Sequence, residues 1–202
     1  MKTNNESIYQ LNNVPIFEAL YGKGLISLGG YQAVDRLFDK IPLAGKHLLD
    51  IGSGIGGIAH YLAAHYQAKV TGLEIHPWMA DYAKQSAEKT IKQAVNFITY
   101  NNDGSIPLKA TSIDIAYSKG VLTNVKNKKQ LFKEVTSVLK PGGDLYLIDW
   151  LVPEEVGPSS QRLNTGEASY KETRQSYRDA ILTPNGFQQI IFTDVSKEYL
   201  VY

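Results

Sequence analysis

The stretch HLLDIGSGIGGIAHYL, residues 47–62, limits what this chain can fold into more than any other. An apolar run of strand length enters a glycine turn and leaves as a helix, with Ile58, Ala59, Leu62, Ala63 and Tyr66 at helical spacing. Gly52, Gly54 and Gly57 satisfy G-x-G-x-x-G, and Gly52, Gly54 and Gly56 satisfy G-x-G-x-G. Glycine lets the backbone turn sharply and lets a ligand approach with no Cβ in the way. The helix that follows offers unpaired N–H groups and the positive end of its dipole. A pyrophosphate suits such a turn, and so does the carboxylate of an amino-acid-like ligand.

Strands and helices then alternate. KVTGLEI (69–75), VNFITY (95–100), IDIAYS (113–118), DLYLIDW (144–150) and FQQIIFTDV (187–195) read as the second to sixth strands. Helices are expected over 55–66, over 77–90 with Pro77 in its first position, over 127–139 until KPGG stops it, and over 170–182. Residues 152–168 read as a loop, and residues 14–40 as helical around the break YGKGLISLGG. The expectation is an α/β fold: a Rossmann-like, doubly wound, mostly parallel sheet with helices on both faces. An N-terminal helical cap over 1–44 would cover a ligand-binding domain over 45–202. In such sheets ligands lie beyond the carboxyl ends of the strands, where the glycine turn sits.

Charge and composition narrow the partners. The formal net charge is +1, so there is no broad basic field to draw in nucleic acid or an anionic membrane. No [DN]PP[YFW] tetrad follows the fourth strand. Cysteine is absent, which removes disulfides, thiolate metal sites and a thiol nucleophile, and fits a cytoplasmic protein. The N-terminal MKTNNESIYQLNNVP has no apolar h-region, and no apolar run reaches membrane-spanning length. His60 and His65 stand five apart and share no good metal-binding face, so no metal is expected.

Three acids sharpen the ligand question. Glu74 ends the second strand, 18 residues after Gly56, where an acid accepts hydrogen bonds from ribose hydroxyls. Asp50 stands two residues before Gly52; its carboxylate would repel a pyrophosphate but can meet a cationic amino group, while also tying down loop N–H groups. Asp103, in NNDGS, is placed to accept from an adenine amino group or to make an Asx-turn before Gly104.

The ordered set LLDIGSGIGG, GLEI, NNDG and LKPGGDLYLID resembles the class I S-adenosylmethionine (SAM)-dependent methyltransferases over residues 45–150. The resemblance implies that Gly52, Gly54 and Gly56 cradle the methionine part, with Asp50, Ile51 and Ser53 of the same turn among the cofactor contacts. It implies that Glu74 holds the ribose, that Ile75 and Trp78 or Met79 flank the adenine, and that Asn102, Asp103 and Gly104 read its edge. Ser118 and Lys119, with Gly120 beside them, would lie under the sulfonium. The segment YQLNNVPIFEALYGKGLISLGG is similar to the entry helix and closing turn of phosphoethanolamine N-methyltransferases. That likeness implies that Ile26 and Ser27 touch the cofactor from above, and it places Tyr9 where the family carries a catalytic tyrosine.

The departures are equally specific. Gly120 stands where that family has an Asp, and Thr123 where it has the His that pairs with the tyrosine. Threonine takes no proton near neutral pH, so Thr123 would at most orient Tyr9 or a water; its local alternative is a helix N-cap. Relatives continue past the sixth strand with a seventh, antiparallel one between the fifth and sixth. Here VSKEYLVY follows the sixth, so the final antiparallel strand is expected to be missing or the edge completed by a second chain, in a monomer or a homodimer. The expected activity is methyl transfer from SAM, leaving S-adenosylhomocysteine, to a small-molecule acceptor, an amine that is phosphoethanolamine-like or another small N-nucleophile. The alternatives are a catalytically impaired SAM-binding protein and an NAD-dependent oxidoreductase, the latter resting on G-x-G-x-x-G alone.

Overall fold

The structure is a computed structural model that describes residues 8–101, 104–162 and 168–199. Five strands make one sheet: β1 (His47–Ile51), β2 (Lys69–Glu74), β3 (Val95–Thr99), β4 (Ile113–Lys119) and β5 (Leu139–Ile148). Their order is β3-β2-β1-β4-β5, and every pairing between them is parallel. Helices α3 (Gly57–Tyr66), α4 (Pro77–Ser86) and α5 (Lys128–Val138) make the crossovers, preceded by α1 (Val14–Tyr21) and α2 (Gly30–Leu37). The expected doubly wound fold is present. The order reverses between β1 and β4, and that switch point is where such sheets open a crevice.

Burial on both faces explains the apolar runs. Leu48 and Leu49 are neighbours on β1, point to opposite faces, and are both fully buried. Leu48 packs with Ala59 and Leu62 of α3, Ala80 and Ala83 of α4, and Phe97; Leu49 packs with Phe132, Val135 and Val138 of α5. α5 starts on Asn127, whose side chain accepts from the Gln130 amide at 3.1 Å.

Three expectations are corrected. KPGG does not separate helix from strand, because β5 begins at Leu139 and residues 140–143 bulge out of the ladder between the Ile113–Leu139 and Ile115–Asp144 pairs. The Lys140–Asp114 ion pair, 2.7 Å, holds that bulge to β4. The expected loop over 152–168 contains β6 (Ser159–Arg162), which pairs antiparallel with β7 (Ala168–Lys171). The last crossover helix therefore starts later than residue 170, as α6 (Arg174–Ser176), capped by Thr173, and continues in wider π turns over Tyr177–Leu182. The sixth strand is absent from the described residues. Residues 187–195 run irregularly, with Gln189 left-handed at φ 52°, before α7 (Ser196–Tyr199). Phe187, Ile190 and Phe192 still pack on the core, so their apolar character serves burial without pairing. In the expected order, their neighbour would be the final antiparallel strand, which the described residues do not contain.

The N-terminal segment crosses the carboxyl end of the sheet. Gly24 sits on the start of α3: its carbonyl accepts from the Gly57 amide at 3.1 Å, and its own amide donates to Glu18 Oε1 at 2.8 Å. A Cβ on Gly57 would stand 2.1 Å from the Gly24 oxygen. On the outer side, Asp35 of α2 accepts from the hydroxyls of both Tyr61 and Tyr66 of α3. Gly57→Ala should therefore destabilise the chain by roughly 1–3 kcal/mol through overpacking, although alanine is the better helix former. Gly104→Ala, where a Cβ meets nothing within 4 Å, should stay within about 0.5 kcal/mol; urea unfolding of both variants measures the contrast.

Candidate functional site

A cavity of about 280 Å³ opens at the switch point, between the carboxyl ends of β1, β2 and β4 and the N-terminal segment. Asp50, Ile51, Gly52, Ser53 and Gly54 line it from β1 and its turn, Glu74, Ile75 and Met79 from β2 and α4, and Lys119 and Gly120 from β4. Tyr9, Gly24, Ile26 and Ser27 line it from the N-terminal side.

The glycine turn is not a phosphate cradle. The Gly52 and Ser53 amides donate to the Leu73 carbonyl, Gly54 to Glu74 Oε2 at 2.9 Å, Gly56 to the Ser53 carbonyl and Gly57 to Gly24. An anion would have to displace these protein acceptors. Gly54 meets the Ile26 side chain, where a Cβ would stand 2.8 Å from its Cδ1, so glycine here leaves room for the residue above the cavity. Glu74 accepts from Gly54 and, through Oε1, from the His76 amide at 3.0 Å; each carboxylate oxygen keeps a further lone pair for a hydroxyl donor.

Two buried charges set the electrostatics. Asp50 is 3% exposed, and its Oδ2 has no hydrogen-bond partner among the described residues; the same holds for Ser53 Oγ. Burial pushes the Asp50 carboxyl up to about 7; the Tyr117 hydroxyl opposes this, Glu74 reinforces it, and the Lys119 charge opposes it more weakly. Lys119 donates from Nζ to Ser27 Oγ at 2.8 Å. Burial lowers its ammonium to about 8, against the pull of Asp50. A cationic group entering this cavity would find an acid short of partners.

This fold, with its acid-lined crevice, agrees with the comparisons to known proteins. A family model described as a methyltransferase domain matches residues 49–147. By sequence and fold the chain resembles the class I methyltransferases. It is 29% identical over 144 residues to phosphoethanolamine N-methyltransferase 1 of Triticum aestivum, covering 70% of this chain and 28% of that protein. It is 27% identical over 196 residues to the phosphoethanolamine N-methyltransferase of Plasmodium falciparum, covering 93% of this chain and 71% of that protein. Its fold is similar, at a TM-score of 0.79 and 21% identity, to that of Haemonchus contortus phosphoethanolamine N-methyltransferase 2 in complex with SAM, over 98% of this chain and 47% of that one. The chain thus spans 28% of the wheat protein and 47% of the nematode one.

Several residues expected at the site stand elsewhere. Gly56 is a packing glycine: a Cβ there would come within 2.6 Å of Ala83 Cβ and 2.9 Å of Phe97 Cζ. Ser118 is fully buried and donates to the Ile51 carbonyl at 2.9 Å. Trp78 packs against Val14, Ile55 and Met79, outside the cavity, and Gly104 is not part of its lining. Asn102 and Asp103 lie outside the described residues. Thr123 is buried in the short 3-10 turn Leu122–Asn124 and lines no cavity, while its neighbours Val121 and Asn124 do. The sequence reading missed Gly24 and His76. Gly24 was legible as a glycine in the break between the first two helices. His76, whose ring centre is 5.8 Å from that of Tyr9, meets it only through the fold.

The Asp50 titration gives a stability test. Its folded value is raised above the unfolded one, so the unfolded chain holds fewer protons between about pH 4 and 7, and stability from this group falls as pH rises through that window. The effect is on the order of a few kcal/mol. Asp50→Asn should gain stability relative to the parent at pH 8 compared with pH 5, measured as the difference in urea unfolding free energy at the two values.

Proposed function

We propose that the chain binds SAM in the switch-point cavity and directs its methyl group to a small amine. The observation that carries this reading is Asp50, a buried acid with a partnerless oxygen beside a turn whose glycine amides are already engaged. That combination suits a ligand bearing a cationic amino group and opposes a pyrophosphate, which disfavours NAD. Asp50 would take the amino group, Glu74 the ribose hydroxyls, and Ile75 with Met79 the adenine faces. When bound, SAM supplies an activated methyl on a sulfonium. The protein's share is to position the acceptor nitrogen in line and to keep water out, and Gly24, Ile26 and Ser27 close the cavity for that purpose. Tyr9, on the same wall, is placed to contact the ligand from the N-terminal side.

One observation favours a second reading, a SAM-binding protein with little turnover. Thr123, at the position of the family's histidine, is buried away from the cavity and offers no proton acceptor there. Calorimetric titration with S-adenosylhomocysteine and with NAD tests the cofactor. We expect micromolar binding of the first, a scale typical of enzyme ligands, and none of the second. A panel of small amines, including phosphoethanolamine, incubated with SAM and read by mass spectrometry then separates the two readings: a product heavier by a methyl group establishes turnover. A folded protein that binds no S-adenosylhomocysteine overturns both.

A further inference from the structure

A second cavity, of about 520 Å³, lies beyond the carboxyl end of β5 and shares Ser27, Lys119 and Gly120 with the first. We infer that this cavity holds the methyl acceptor as an alkylamine without a phosphate group, which enters as its ammonium with Asp149 as its principal counter-charge and gives one N–H proton to that carboxylate, freeing the nitrogen lone pair that takes the methyl. The inference rests on the methyl-transfer reading and specifies its substrate class.

Position comes first. The shared residues make the two cavities neighbours beside Ser27, Lys119 and Gly120, and donor and acceptor sites must adjoin for in-line transfer. The outer wall is built by the last described segment. Tyr199 covers Gly29, where a Cβ would stand 2.8 Å from the tyrosine oxygen, and Glu198 pairs with Arg36 of α2 at 2.7 Å. The cavity therefore forms only when α7 docks on the N-terminal segment.

Charge and aromatic surface then define the occupant. Four carboxylates line the cavity, Asp149, Glu154, Glu155 and Asp194, against two cations, Lys119 and Arg174. Lys119 is engaged, donating to Ser27 and lying beside Asp50, and the Arg174 guanidinium is half exposed and loosely paired, 3.9 Å from Asp194. The Lys128 ammonium, behind Asp149, is 2% exposed and turned to Glu172 and to the carbonyls of Val125 and Tyr170. A phosphomonoester would meet four carboxylates with only the loosely paired Arg174 to offset them among the described residues of this lining. An ammonium would meet Asp149, whose Oδ2 accepts from the Tyr177 hydroxyl at 2.5 Å while its Oδ1 is buried without a partner among the described residues. Burial raises this carboxyl, against the Tyr177 hydroxyl, the Trp150 and Thr123 amides and the Lys128 charge, which lower it. Trp150 and Tyr199, edge to face with ring centres 5.7 Å apart, and Phe192 add the aromatic faces that hold methylated ammonium groups.

The test is calorimetric titration of the chain, with and without S-adenosylhomocysteine, by choline chloride, ethanolamine and phosphoethanolamine. Choline and ethanolamine should bind, and phosphoethanolamine should bind at least about tenfold more weakly. Asp149→Asn should weaken choline about tenfold or more, the scale of a hydrogen bond to a charged group, and leave S-adenosylhomocysteine affinity unchanged. Because Asp149 also anchors Tyr177, Trp150→Leu serves as a second variant and should weaken choline more than ethanolamine. Phosphoethanolamine binding as tightly as ethanolamine, absence of choline binding in both forms, or choline binding indifferent to both substitutions would overturn the inference. Loss of S-adenosylhomocysteine binding with choline binding retained would overturn the methyl-transfer reading instead.

Discussion

The Gly24 carbonyl rests on Gly57 with no room for a methyl group between them, and the site follows from that contact. It consumes the first amide of α3, which would otherwise point at a ligand, and it seats the N-terminal segment across the end of the sheet. Glu18 secures it from behind through the Gly24 amide. Once the turn's glycine amides are spent on Leu73, Glu74, Ser53 and Gly24, recognition passes largely to side chains: Asp50 from below, Glu74 from the flank, Ile26 and Ser27 from above. The same glycine pattern can serve phosphates in one protein and an amino-acid-like ligand in another because what matters is which groups already hold the amides.

A buried acid and a buried amine sit at the centre of this arrangement without a direct ion pair between them among the described residues. Lys119 gives its hydrogen bond to Ser27, and Asp50 keeps an oxygen unused. Each has lost part of its hold on the charged form through burial. A core built for stability alone would fill this space with apolar side chains, since isolated buried charges cost more than they return. Perturbed groups lining a crevice at the switch point mark a site kept for ligand chemistry.

The sequence was most legible where the physics is local. The apolar runs at 47–51, 69–74 and 113–119 are strands because both faces of the sheet are covered, and Pro77 and Asn127 mark helix starts through backbone chemistry of their own. It was less legible where structure depends on distant partners. FQQIIFTDV has the composition of a strand, but a strand needs a neighbour, and these residues pack their rings on the core instead. SSQR pairs with ASYK in a hairpin too short and polar to stand out from a loop. At the site, residues pinned to strand ends and the glycine turn fell where expected, whereas Gly56 and Ser118, one step round the backbone, turn into the packing. The second cavity was not legible at all, since it joins residues from 27 to 199 that only the fold brings together.

Lys119 forms part of the wall of both cavities, and a shared wall has a thermodynamic consequence. A charge arriving on either side acts on the same ammonium, whose proton is already less firmly held than that of a lysine in water. Occupancy of one chamber then alters the affinity of the other, and by reciprocity the factor is identical in both directions. The order in which two ligands fill such a protein changes nothing in the final equilibrium. Burial shifts both that ammonium and the Asp50 carboxyl beside it, so the mutual influence should vary with pH across the range where the two titrate.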